Sequence, residues 1–311
     1  VTQGAAQTDF AAPVARHVGL TSVVIVAADS GDVLAQCVER VLASSTAIEI
    51  VIVDNDSHDG SVVRAAAKLA HEARAHFVYN GANLGFGTGC NRGAAIARGD
   101  VLTFLNPDCM VDVDTIARLR TVLEADPRIG LIGATQVDTN GRADRASRRR
   151  DPLLRRTFMS LSGLARLASR WPMFAGIELP QSSTGVDQVD AVSGALMLLS
   201  SDAFARVGGF DEGYFLHCED LDLCRRVRDA GYSVVCANEV RVVHAKGGSS
   251  RHRPLFVAWH KHRGMWRWFT KFDPAARNPL LRGLVFTGIW TAFGLKVPLL
   301  LLRRAFGALA S

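Results

Sequence analysis

The chain has 311 residues, 48% of them hydrophobic and 21% charged, enough for one large domain, or one domain with an appendage, around a real core. Its six cysteines (Cys37, Cys90, Cys109, Cys218, Cys224, Cys236) show no CxxC pair and no zinc-like spacing with histidine, and nothing resembling a signal peptide occupies the polar N-terminus; reduced thiols in a cytoplasmic enzyme are expected. The net charge of +6 hides a division: from Lys246 onward twelve Lys or Arg face one acid, Asp273, whereas the body before it has 24 basic and 29 acidic residues, which points to an anionic surface as partner of the tail alone.

In chain order, "SVVIVAA" (22–28), "EIVIVDN" (49–55), "AHFVYN" (75–80) and "DVLTFLN" (100–106) are short Val- and Ile-rich runs, the pattern of strands covered on both faces. Between them "VLAQCVERVLASS", "SVVRAAAKLAHEA" and "GCNRGAAIARG" place apolar residues at helical spacing. Such alternation predicts a mainly parallel sheet with right-handed crossovers, whose ligands gather at the C-terminal strand ends. Asp54 ends the second strand and is followed by Asp56, Ser57 and Asp59. Ser57 or Asp59 can cap the next helix, and Asp54 stands where a carboxylate could accept hydrogen bonds from a base or ribose. The glycines of "NGANLGFGTGCNRG" (80–93) form neither a Walker loop nor a GxGxxG fingerprint; they permit close approach of backbone to a flat or charged ligand. Asn106-Pro107-Asp108 is a third polar strand end. Pro107 stops the ladder so that the Asp108 side chain can point out, and one carboxylate with phosphate oxygens and waters is the usual way an enzyme holds Mg²⁺ or Mn²⁺.

Residues 138–188 hold seven Arg between Arg142 and Arg156 and few strand signals, which predicts a loop or short helices laid across one face. "VDAVSGALMLLS" (189–200) resumes the core, followed by a helix near 201–208, the turn "GGFDEGY", a helix over about 220–230 and a strand at 233–245. Glu219, Asp220 and Asp222 fall in the first turn of the latter helix, where its dipole favours acids, and Leu221, Cys224 and Val227 supply its buried stripe. His244 stands at the end of the last strand, with Lys246 and "GGSS" beyond. In the tail, "WHKHRGMWRWFTKF" (259–272) interleaves Trp259, Trp266, Trp268 and Phe269 with Lys and Arg, as a membrane interface selects. "GLVFTGIWTAFGLKVPLLLL" (283–302) approaches the length of a span, but Lys296 and Pro298 interrupt it, so helices lying on the membrane are expected. This apolar stretch argues against nucleic acid as the partner of the basic and aromatic residues.

"VVIVAADSGDVLAQCVERVL", "VDNDSHDGS", "NLGFGTGCNRG", "LNPD", "SGALMLLSSDAFARVGGFDEGYFLHCEDLDLCRRVRDAGY" and "VVHAKGGSS" together resemble family 2 glycosyltransferases, most closely the rhamnosyltransferases of bacterial cell-surface polysaccharides. The resemblance spans roughly residues 20–250. It implies an α/β GT-A fold, a nucleoside-diphosphate sugar donor and inversion at the anomeric carbon. It divides the chain into an N-terminal extension (1–19), a catalytic domain (20–250, donor half about 20–137, acceptor half about 138–250) and a helical membrane-associating tail (251–311).

By the same resemblance Asp54 contacts the nucleobase, and Ala27, Asp29, Asn83, Gly85, Phe86 and Asn106 line the donor site. Asp108 is the metal-binding aspartate, and Asn106 stands where many relatives have another aspartate. "AAD" (27–29) replaces a frequent Thr-Tyr-Asn. Asp220 is the base that deprotonates the acceptor, Glu219 and Asp222 orient the acceptor or hold the helix, His244 lies near the metal or diphosphate, and Lys246 can clamp the leaving group. The expected reaction moves rhamnose from dTDP-rhamnose to a lipid-linked cell-wall or surface-polysaccharide acceptor, with Mn²⁺ or Mg²⁺, on the cytoplasmic face of the membrane as a peripheral protein. Open alternatives are a UDP-hexose or UDP-HexNAc donor and a non-catalytic sugar-nucleotide or glycan-binding subunit. Homo-oligomerisation is left open, and no nucleic acid is expected.

Overall fold

A computed structural model describes residues 15–245 and 253–309. Lys246 and the "GGSS" run behind it lie outside the described residues, so their expected contact with a leaving group has no structural counterpart here. Four strands open the chain: β1 (His17–Ala27), β2 (Ile48–Asp54), β3 (Ala75–Tyr79) and β4 (Gly99–Leu105). The helices α1 (Val33–Leu42), α2 (Ser61–Lys68) and α3 (Phe86–Ile96) connect them. The strands lie in the order β3-β2-β1-β4, all parallel. Apart from Val18 near the start of β1, the Val and Ile residues of β1 and β2 are buried without alternation because helices cover both faces, as the sequence pattern requires. Register then fixes where ligands can bind. Ala27 pairs with Asp54 and Ile25 with Leu105, so the segments following β1, β2 and β4 leave the sheet at one edge.

The second half adds β5 (Cys109–Met110), α4 (Thr115–Ala125), β6 (Ile129–Val137), β7 (Arg148–Arg149) and α5 (Leu154–Leu161). After them come β8 (Val186–Gln188), β9 (Ala191–Val192), β10 (Leu196–Ser200), α6 (Ser201–Arg206), α7 (Glu219–Asp229) and β11 (Ser233–His244). The sheet continues β4-β10-β6-β11-β5. β10 runs antiparallel to both neighbours while β11 is parallel to β6, so the parallel half of the sheet gives way to a mixed half. Residues 138–188 are the expected irregular crossing: short 3-10 turns at 145–147, 164–167 and 172–174, α5, and a β7–β9 ribbon. One core lies under α1, α2 and α4, the other under α3, α6 and α7.

Two expectations change on contact with this packing. The glycines of α3 serve the sheet rather than a ligand: a Cβ on Gly89 would stand 2.8 Å from Val26, and one on Gly93 would stand 2.4 Å from Val24. The basic, aromatic run at 259–272 forms α8 (Pro254–Phe272), in which Trp268 joins the core and Phe269 is buried, while Trp259 stays 45% exposed. Aromatic residues among Lys and Arg suit a membrane interface, but they suit an amphipathic helix packed on a protein equally well. Beyond α8 lies α9 (Pro279–Leu309), continuous through Pro298, whose ring sacrifices one helical hydrogen bond without ending the helix. Its Pro279–Leu301 stretch, of mean hydropathy 1.7, is long and apolar enough to cross a membrane by length and composition.

Candidate active site

The strand-end edge opens into a cleft of about 230 Å³. Asp29, Asn83, Gly85, Phe86, Asn106 and Asp108, six of the residues expected from the sequence to face a ligand, line it together. Asp29 sits at φ 51 and accepts hydrogen bonds from the backbone of His58 (2.7 Å) and Asp59 (3.3 Å), which ties the loop after β2 to the end of β1. Gly85 has φ 88, and a Cβ there would lie 2.5 Å from the Phe215 carbonyl oxygen, to which the Phe86 N–H donates at 3.0 Å. This contact closes the cleft against Phe215 and Leu216.

Some expected residues stand elsewhere. Ala27 is fully buried in the core, a correction that follows from strand alternation: Ala28, one position on, lines the cleft. Asp54 is half-buried at the end of β2, where it accepts from the Ser57 N–H at 2.9 Å, and its neighbour Asn55 is the residue in the wall. Asp222 cannot meet an acceptor. Its side chain is 0% exposed and is held by Arg226 (2.5 Å) and Lys271 (2.6 Å), because two steps along a helix turn it to the side away from Asp220. Lys271 also reaches Asp211 at 2.6 Å, where burial alone would raise the pKa but hydrogen bonds from Arg267 and Lys271 prevail and hold it down to about 2.

Asp220 is buried at the start of α7. Its Oδ2 takes a 2.5 Å ion pair from Arg149 and a 3.1 Å hydrogen bond from the Gly194 N–H, and its Oδ1 accepts from the Leu221 N–H. Two residues of backbone link this carboxylate to the cleft: Gly194 donates to Asp220, and the Ala195 carbonyl accepts from the Asn106 N–H at 2.9 Å. Burial opposes the charge of Arg149, but the neighbouring Asp220 outweighs it and raises the Arg149 pKa. Beside them Glu219 is buried with Oε2 lacking a hydrogen-bond partner among the described residues, and burial first and the Asp220 charge second push its carboxyl up to about 8. The turn entering α7 is strained. His217 and Cys218 have φ 69 and 71, left-handed backbone that costs non-glycine residues about 1–3 kcal/mol each.

Sequence reasoning missed Arg149, which reads as one more arginine in a basic run, and Phe215 and Arg253, which line the cleft from segments distant in sequence. The run "RRR" at 148–150 between strand-like residues was the available signal for Arg149.

Among the described residues no group of three or more His, Cys, Asp or Glu could hold a metal ion. Asp108 and His244 nevertheless suit a site completed by ligand oxygens. His244 Nε2 and Asp108 Oδ1 are 3.1 Å apart, close to the roughly 3 Å between adjacent ligands of an octahedral ion with bonds of about 2.1 Å. His244 Nδ1 is buried without a hydrogen-bond partner among the described residues.

The profile described as glycosyl transferase family 2 matches residues 22–198, more than half of the chain. An N-acetylglucosaminyl-diphospho-decaprenol L-rhamnosyltransferase of Mycobacterium tuberculosis is 29% identical over 77% of this chain and 85% of its own length. Rhamnosyltransferase WbbL of Escherichia coli is 35% identical over 37% of this chain and 42% of its own. Among solved structures, the mannosyltransferase PcManGT from Pyrobaculum calidifontis, in complex with GDP-Man and Mn²⁺, superposes with a TM-score of 0.56 at 17% identity, covering 96% of this chain and 78% of that one.

Proposed function

The chain belongs to glycosyl transferase family 2 and has the GT-A fold, and we propose that it is an inverting rhamnosyltransferase taking dTDP-rhamnose to a lipid-linked, diphospho-sugar acceptor. The observation that carries this reading is the backbone bridge from Asn106 through Ala195 and Gly194 to Asp220, which sets a buried carboxylate beside the strand-end cleft. The acceptor class is carried over from the name of the Mycobacterium tuberculosis relative.

In this proposal the cleft holds the nucleoside diphosphate, with the base toward Asp29, Asn55 and Ala28 and the diphosphate toward Asp108 and Arg253. Asp54 supports the base pocket through Ser57. Mn²⁺ or Mg²⁺, held by Asp108 and His244, would supply charge neutralisation at the leaving diphosphate. Asp220, oriented by Arg149 and the Gly194 N–H, takes the proton of the acceptor hydroxyl as its oxygen bonds to the anomeric carbon. The bond from that carbon to the diphosphate breaks with its electron pair on the diphosphate, and a single displacement inverts the configuration. Burial and the Asp220 charge push the Glu219 carboxyl up, which favours its neutral form beside Asp220. In the same reading the protein works at the cytoplasmic membrane face as a peripheral element, beside its lipid-linked acceptor, with α9 as its contact; the support is that the Pro279–Leu301 stretch is apolar over the length of a span.

A thermal-shift panel of dTDP-, UDP- and GDP-sugars with Mn²⁺ and Mg²⁺ tests the donor. A ligand at about 100 times its dissociation constant adds about 2.7 kcal/mol of stability. dTDP-rhamnose is expected to give the largest shift and to transfer label to a diphosphate-linked N-acetylglucosaminyl lipid. Stabilisation and transfer by a UDP-sugar alone would replace the donor assignment, and binding with no transfer to any acceptor would favour the non-catalytic alternative.

A further inference from the structure

The acceptor half carries an apolar, basic surface that the C-terminal tail does not account for. Between Pro152 and Gly176 there are four arginines and no Asp or Glu. Neither α5 nor the two 3-10 turns after it contain a buried residue. Leu161 is 83% exposed, Met173 64% and Phe158 58%, a density of exposed large apolar side chains that marks an interaction surface.

Its neighbours and its charge say what covers it. Phe158 shares an apolar cleft with Pro274, Ala275 and Leu284, so α5 abuts the beginning of α9, and the Leu154 N–H donates to Asp273 at 2.5 Å. Leu161 follows Phe158 by one helical turn and extends the same side. Of the arginines, Arg156 is engaged by Asp190, whereas Arg166 and Arg170 are exposed and make no ion pair among the described residues. Exposed apolar side chains and unpaired arginines in one segment, next to an apolar helix, match an anionic lipid surface.

We infer that residues 154–174 form a second membrane-contact element, which inserts Phe158, Leu161 and Met173 at headgroup depth with Arg166 and Arg170 among the lipid phosphates. The inference rests on the reading of α9 as membrane-associated. Its consequence is directional. β7, which carries Arg149, is joined to α5 by residues 150–153, so under this inference the Arg149–Asp220 pair is tied to a membrane-contact element. A lipid-linked acceptor can then present its sugar without leaving the bilayer.

Single-cysteine fluorophores in the full chain test this, since the native cysteines are buried or half-buried. Labels are placed at Leu161→Cys in the proposed element, Leu295→Cys on α9 and Val63→Cys on α2, which is 70% exposed on the body. Protein is mixed with phosphatidylcholine–phosphatidylglycerol vesicles containing lipid-borne nitroxide quencher. Quenching is expected at Leu161 and Leu295 but not at Val63, and weaker at Leu161 with phosphatidylcholine alone. Arg166→Ala/Arg170→Ala should abolish that lipid preference at Leu161. Quenching at Leu295 without quenching at Leu161 overturns this inference and leaves the α9 reading standing; quenching at neither overturns both. A Leu161 signal that responds to protein concentration without lipid identifies a second copy as the occupant and also overturns the inference.

Discussion

Replacing Asp220 by Asn tests the chemistry cleanly only if Arg149 is treated with it. Loss of a general base typically lowers turnover 10²–10⁴-fold, which is about 3–5 kcal/mol of transition-state stabilisation. The same substitution removes the counterion of Arg149. Breaking a buried ion pair costs about 3–5 kcal/mol of stability, and the 26% exposure of the Arg149 side chain, against 12% for Asp220, places this pair near the lower end, about 3 kcal/mol. Arg149→Met in the Asp220→Asn background removes the stranded charge, so stability should recover to within about 1 kcal/mol of the wild type. Turnover should not recover with it. Donor affinity should change little in either variant, because Asp220 is outside the cleft wall. The measurements are radiolabelled rhamnose transfer, unfolding in urea and donor-induced thermal shift. An Asp220→Asn enzyme with near-normal transfer refutes the assignment of the base, and a double variant that regains turnover shows that the single variant failed through its architecture.

Asp108→Ala should abolish the Mn²⁺ dependence of nucleotide-sugar binding while the unfolding transition stays cooperative, as measured by calorimetry with and without the ion; unchanged dependence would remove Asp108 from the metal site. Gly85→Ala should destabilise by about 3 kcal/mol or more and weaken donor binding, since φ 88 with ψ 168 is accessible essentially to glycine alone and the new Cβ would meet the Phe215 carbonyl at 2.5 Å. A stable Gly85→Ala protein with normal donor affinity would show that this contact does not shape the cleft. Glu219 sets a pH dependence. A carboxyl raised from 4.5 to about 8 stabilises the fold fully below its unfolded pKa and loses that contribution as pH climbs through the folded value. The wild type should therefore lose stability relative to Glu219→Gln between about pH 5 and pH 8, and parallel melting curves for the two proteins across that window would contradict the burial argument.

The donor half was legible because its physics is local. A Val- and Ile-rich run ending in Asp54 or in Asn106-Pro107-Asp108 declares both a strand and a strand end, and parallel register brings such ends to one edge. Parity was the weak point: Ala27 and Ala28 are indistinguishable in sequence, yet alternation buries the first and exposes the second to the cleft. The acceptor half depends on long-range partners. Asp220 and Asp222 look equivalent at a helix start until Arg149 claims one and Lys271 the other. Trp268 fits a lipid interface by composition and a protein core by position, and only the packing of α8 distinguishes them. The direction of β10 depends on its neighbours in the sheet, which no single strand sequence encodes.

Residues 214–222 connect all these parts. Phe215 closes the cleft on Gly85, His217 and Cys218 turn the chain through left-handed backbone, Asp220 meets Arg149, and Asp222 is fixed by Lys271 of α8. Strain of about 1–3 kcal/mol at each of two successive residues persists only where the surroundings over-determine the conformation. Those surroundings are identifiable here. The His217 carbonyl lies against Gly264 of α8, at 2.7 Å from where a Cβ would stand, and the Cys218 carbonyl accepts the Asp222 N–H at 2.9 Å. α8 therefore holds the turn from one side while the donor cleft holds it from the other. α9 follows α8 after one short 3-10 turn, and the proposed base thus sits on a segment clamped between the strand-end cleft and the helix proposed to meet the membrane. Under the proposed function such a placement suits an enzyme whose two substrates arrive from different phases, one from water and one in lipid.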